Sequence, residues 1–72
     1  MEKKIYLFNC IKEKRDLVNM SQQDLAKLSG TNLYIIQAIE SNSYACSIKL
    51  ALCLSLALQV PLDELFWLDV KS

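Results

Sequence analysis

Apolar and polar positions alternate along this chain with two different periods. Residues 3–8, Lys-Lys-Ile-Tyr-Leu-Phe, would place Ile5 and Leu7 on one face of an extended segment and Tyr6 and Phe8 on the other. That period of two, with β-branched and aromatic side chains, predicts a strand. Residues 66–70 have the same character, so the two ends are expected to pair as a small antiparallel β-ribbon. A helix beginning near Ile5 is the alternative. Between the ends the period is helical. Asn9 is expected to cap a helix running to about Val18, with Asn19 in the left-handed position after it and Met20 packing behind.

Residues 21–40, SQQDLAKLSGTNLYIIQAIE, organise the rest. Ser21 can cap a helix, and Asp24 stands three residues on, where a capping-box carboxylate belongs. Leu25, Ala26 and Leu28 are read as its inward face. Gly30 can take the positive φ that a sharp corner between helices needs. Asn32 can cap a second helix, whose apolar Ile36 and Ile39 would turn back onto the first and which ends at Glu40. Two short helices joined by a glycine-containing turn form a helix-turn-helix.

Ser41, Asn42 and Ser43 read as a loop, with Asn42 suited to left-handed backbone, and Tyr44 and Ala45 continue it. Ser47 can cap a helix from Ile48 to about Leu58 that is apolar nearly all round. Leu50, Leu54, Ala57 and Leu58 make one stripe; Leu52, Cys53 and Leu56 make a second. A helix apolar on every side is buried on every side. In so short a chain the second stripe is expected to meet another subunit. Val60 and Pro61 mark a break, and Pro61 suits the start of a last short helix carrying Asp63 and Glu64 in its first turn. Leu65 and Phe66 would close that helix onto the core.

Length and charge narrow the classes. Seventy-two residues suffice for one small domain, here taken as 1–72, and a 53% apolar content exceeds what so small a core needs, which again suggests a partner surface. Lys+Arg and Asp+Glu balance at eight each, so affinity is not expected to rest on a broad basic patch. The three cysteines are an odd number without metal-ligand spacing, and histidine is absent. The chain is therefore expected to be a reduced, cytoplasmic protein without a disulfide framework, metal or cofactor. The apolar run 50–58 is shorter than the about 20 residues a bilayer requires. No carboxylate pair beyond the helix-start Asp63-Glu64, no histidine and no glycine-rich phosphate loop suggests an enzyme.

The assembled pieces resemble the Cro/C1-type (Xre-family) helix-turn-helix proteins. They are Ile11 with Arg15, SQQDLA at 21–26, Gly30, Ile36 and Ile39 before Glu40, Ser47-Ile48, Leu50-Ala51, and VPLDELF at 60–66. The resemblance covers roughly residues 9–66. It implies an all-α, five-helix lambda-repressor-like fold, with the terminal ribbon as an addition, whose third helix enters the major groove of double-stranded DNA. It also implies a homodimer and a transcriptional regulator, usually a repressor.

Position by position, the resemblance assigns Gln22 to a phosphate and to bracing the third helix. Thr31 and Asn32 would contact phosphate at its entrance. Leu33, Tyr34 and Gln37 fall at base-facing positions, and Ser41, Asn42, Ser43 and Tyr44 in a loop that touches the sugar-phosphate backbone. Arg15 and Glu40 match an internal ion pair. Leu52, Leu56, Trp67 and Leu68 are the expected dimer contacts. The chain departs from the family where the third helix meets DNA. Bidentate reading of guanine takes Arg or Lys, and of adenine Asn or Gln. Here Leu33, Tyr34, Ile35 and Ala38 leave Gln37, with Asn32 at the cap. Leu33 and Ile35 are expected to suit thymine methyl groups. Lys27 and Lys49 are the only cations between residues 21 and 60. An apolar recognition helix raises the alternative of a fold used as a protein-interaction module.

Overall fold

In the computed structural model, residues 3–71 are described. In chain order the elements are β1 (Lys4–Asn9), α1 (Ile11–Leu17), α2 (Gln22–Ser29), α3 (Leu33–Glu40), α4 (Ile48–Leu58), α5 (Leu62–Leu65) and β2 (Phe66–Lys71). The helices build the body, and β1 pairs antiparallel with β2, Leu7 opposite Leu68 and Asn9 opposite Phe66. The ribbon thus exists, with β1 displaced by one residue from the expected 3–8 and β2 one residue longer than the expected 66–70. Leu7 and Leu68 share one face, and Phe8 stacks on Trp67 across the other at 6.4 Å between ring centroids.

Each helix begins and ends where local chemistry satisfies free backbone groups. The Ser21 hydroxyl accepts from the Asp24 amide while the Asp24 carboxylate accepts from the Ser21 amide, a complete capping box. Asn32 and Ser47 cap α3 and α4 through the amides of Ile35 and Leu50. Left-handed backbone ends four segments, at Asn19, Gly30, Asn42 and Gln59. At α1 the first expectation shifts. Asn9 is the last residue of β1, and Cys10 takes the cap position, although the Asn9 side-chain oxygen still accepts from the Ile11 amide at 3.2 Å. Asn9 is committed elsewhere by its amide nitrogen, which donates to Ile39 O at 2.9 Å and to Asn42 Oδ1 at 3.1 Å.

The core gathers Ile11, Leu25, Ala26, Ile36, Ile39, Leu54, Leu58 and Leu65. Helix α2 packs on both α3 and α4. The Cys10 amide donates to Leu65 O at 3.1 Å and ties the start of α1 to the end of α5. Leu28 is not part of the inward face; it is 63% exposed, whereas Ser29 is buried and its hydroxyl donates to Leu25 O. At roughly 100° per residue, the face centred between Leu25 and Ala26 runs through position 29 and leaves position 28 about 110° away. Among the described residues no helix is long and apolar enough to cross a membrane.

Candidate nucleic-acid interface

Helix α3 is fixed by its inner face and open on its outer one. Ile36 and Ile39 are buried in the core and Ile35 packs against it. Ile35 is half-buried, with part of its side chain committed to the core. Tyr34 is 78% exposed, and Gln37 and Ser41 follow at spacings of three and four residues on the same outer line. Leu33 and Ala38 flank that line, half-buried.

An ion pair sets the tilt of α3. Arg15 is 7% exposed; its Nε donates to Glu40 Oε2 at 2.8 Å and its Nη2 to Glu40 Oε1 at 3.1 Å. Nη1 donates to Met20 O at 2.8 Å, which joins the α1–α2 corner to the end of α3. The hydrogen bond to Glu40, opposed by desolvation, holds the guanidinium above its ordinary pKa, so it stays charged. Gln22, the first residue of α2, donates from Nε2 to Glu40 Oε1 at 3.0 Å. Gln37 Nε2 lies 3.4 Å from Gln22 Oε1. The side chains at positions 15, 40, 22 and 37 thus form one connected run from the core to the outer face of α3.

The loop after α3 folds onto itself. The Ser41 and Ser43 hydroxyls each donate to Ala38 O at 3.1 Å, and the two hydroxyls lie 3.0 Å apart. Asn42 accepts from Asn9, so the loop is held by β1. Tyr44 is half exposed and lines a hollow with Asn42, Leu7 and Phe66. Thr31 is half-buried in a shallow groove shared with Ser47 and Lys49. Asn32 is exposed, its oxygen engaged by the Ile35 amide. Sequence reasoning missed Asn9 as the anchor of this loop and Lys49 as the cation beside Thr31. Neither contact has a local signal, since each joins residues remote in sequence. No cation stands on α3. Burial pushes the Cys46 thiol up, away from the reactive thiolate.

A corner of this shape, with one helix braced from behind and exposed in front, is a helix-turn-helix, and a family model described as helix-turn-helix matches residues 11–65. The chain belongs to the Cro/C1-type helix-turn-helix family. In helix-turn-helix terms α2 is the supporting helix and α3 the recognition helix. The chain is 33% identical over 64 residues to the uncharacterized HTH-type transcriptional regulator YgzD of Bacillus subtilis, an alignment covering 89% of this chain and 97% of that one. It is 38% identical over 58 residues to another such regulator from Methanocaldococcus jannaschii, covering 81% and 88%. Among solved structures, the restriction-modification controller protein C.AhdI of Aeromonas hydrophila matches with a TM-score of 0.71 and 30% identity, over 75% of this chain and 78% of that one. DNA-binding transcriptional regulation is the coarse function that membership of this helix-turn-helix family carries.

Proposed function

We propose that the chain is a cytoplasmic, homodimeric, sequence-specific repressor that lays α3 in the major groove of double-stranded DNA and catalyses no reaction. The observation that carries this reading is the outer line of α3. Tyr34 and Gln37 are exposed while Ile36 and Ile39 lock the other side. Gln37 offers adenine a donor and an acceptor, Tyr34 a hydroxyl and a ring edge, and Leu33 a surface for a thymine methyl. Asn32 and Tyr44 are the backbone contacts this reading favours, since the Ser41 and Ser43 hydroxyls are already engaged.

Dimerisation would supply a second reading helix about one duplex turn away. Ile48, Leu52 and Leu56 are 69%, 49% and 79% exposed and form an i, i+4, i+8 stripe along α4. Leu7 and Leu62 lie beside Ile48, and the apolar surface continues onto Trp67 and Leu68 of β2. An exposed apolar surface of this kind marks an association site. A subunit that blocks transcription needs nothing beyond occupancy of DNA.

Selection from a random duplex library with the purified protein tests the reading. An enriched palindrome with half-sites about 10 base pairs apart supports it. Few cations should give a shallow salt dependence, with a slope of about −5 or less steep. No binding even at low salt would overturn it in favour of a protein partner for the apolar outer residues of α3.

A further inference from the structure

Asn9 stands where the terminal ribbon, the start of α1 and the far end of α3 meet. We propose that this residue is the joint through which the ribbon governs the contacts of residues 41–44 with the duplex backbone, so that ribbon pairing and DNA binding strengthen each other. The inference rests on the DNA-binding reading above and deepens it by naming a positioning residue outside the helix-turn-helix.

Backbone groups fix how the Asn9 amide is turned. The Ile11 amide can only donate, so the atom that meets it at 3.2 Å is the Asn9 oxygen. The Ile39 carbonyl can only accept, so the atom 2.9 Å from it is the Asn9 nitrogen. The second N–H of that nitrogen goes to Asn42 Oδ1 at 3.1 Å. Both donors of this side chain are thus spent on the end of α3 and the loop behind it. Ile39 O belongs to the last turn of α3, whose carbonyls find no partner within the helix. It also accepts from the Asn42 amide at 3.0 Å. Asn42 has left-handed backbone, at φ 61°, and this is where the chain turns toward Ser43 and Tyr44.

The position of Asn9 depends in turn on the ribbon. It is the last residue of β1 and lies opposite Phe66, the first of β2. Tyr6 and Leu7 of the same strand line the hollow that Tyr44 borders, so β1 backs the loop at a second place. A two-stranded ribbon alone is marginal in water. Here Ile5, Leu7, Leu68 and Val70 share one face by register and are exposed, so little burial within the chain holds the strands together. With the ribbon paired, Asn9 holds Ile39 O and Asn42, and the loop meets DNA already shaped. With the ribbon frayed, the loop must be ordered on binding, which lowers affinity. Coupling of this kind is reciprocal, so a bound duplex must steady the ribbon. Backbone contacts carry no sequence information, so the effect falls on strength and not on base preference.

Two variants test it. Asn9→Ala removes both donations; Asn42→Gly keeps the left-handed backbone and removes one acceptor. Fluorescence anisotropy with a random-sequence duplex at low salt should show each binding roughly tenfold more weakly than the native chain. The double variant should be no weaker than Asn9→Ala, because the two residues act as one unit. Amide hydrogen exchange at saturating duplex should show β1 and β2 slowed by DNA in the native protein and much less in either variant, at an unchanged oligomeric state in ultracentrifugation. A residue that merely supports the fold would lower the melting temperature and leave this response to DNA in place. Native affinity in both variants, costs that simply add, an equal slowing of the ribbon in native and variant chains, or an altered base preference in library selection would each overturn the coupling and leave DNA binding intact. If Asn9→Ala does not fold, Asn42→Gly decides by the same affinity and exchange readings. Failure of the native protein to bind any duplex would remove the DNA-binding reading and this inference together.

Discussion

Replacing Glu40 with Leu removes the acceptor of three hydrogen bonds in one step, two from Arg15 and one from Gln22. The Arg15 and Glu40 side chains are 9% and 8% exposed, so water cannot readily take the place of the lost carboxylate. What remains is a buried guanidinium held by Met20 O, together with an amide nitrogen of Gln22 that has lost its acceptor. Breaking a buried pair from one side costs about 3–5 kcal/mol. A domain of this length has a total stability of roughly 4–11 kcal/mol at the usual value per residue. The single variant should therefore lie close to the limit of folding. Combining Glu40→Leu with Arg15→Met takes away the stranded charge and leaves chiefly the Met20 carbonyl without its donor, at about 1–3 kcal/mol. The double variant should thus be more stable than Glu40→Leu alone by about 2 kcal/mol. Urea unfolding followed by circular dichroism, at one protein concentration because association adds to apparent stability, measures this directly. With a slope near 1 kcal/mol per molar urea, Glu40→Leu should lower the midpoint by roughly 3 M, or be unfolded in buffer. Costs of the two substitutions that simply add, to within about 0.5 kcal/mol, would refute the view that the pair is held by mutual compensation.

Leu56→Lys, on the most exposed part of the α4 stripe, should convert a dimer to monomer in analytical ultracentrifugation with the helix content unchanged; a dimer that survives it would take α4 out of the contact. Leu54→Ala empties a fully buried position between α4 and the core and should cost about 2–5 kcal/mol in the same urea assay, whereas Leu28→Lys, on an exposed position, should stay within about 0.5 kcal/mol of the native chain. Ser21→Ala breaks the capping box of α2 and should cost about 1 kcal/mol, readable as a lower melting temperature.

Much of this architecture was legible along the chain because it is written in neighbouring residues. Ser21 and Asp24, Asn32 before Leu33, Gly30 at the corner and Ser47 before Ile48 are local devices, and each acts within a turn of its own position. The ribbon was legible for a similar reason, since residues 3–8 and 66–70 alternate with a period of two and have no other strand to pair with. Short amphipathic helices are the exception. In α2 the choice between Leu28 and Ser29 turns on a few tens of degrees around an eight-residue helix, and the apolar side chain was the wrong guide. Ile35 shows the same sensitivity. Its neighbours Leu33 and Tyr34 suggested an outward patch, but with Ile36 and Ile39 buried Ile35 lies half-buried against the core.

From its residue order alone the chain determines the helix boundaries, the sharp corner at Gly30 and the kinship with a DNA-binding family, because capping, backbone freedom and apolar spacing act over a few residues. Tertiary packing alone decided what the polar side chains do. Asn9 looked like a simple cap and proved to be the tether of Asn42, thirty-three positions away. Gln22 and Gln37 became one run of hydrogen bonds only when α2 and α3 were packed against each other. Contacts of that range depend on the angle at which two helices meet, and that angle is a property of the whole core, not of any stretch of sequence within it.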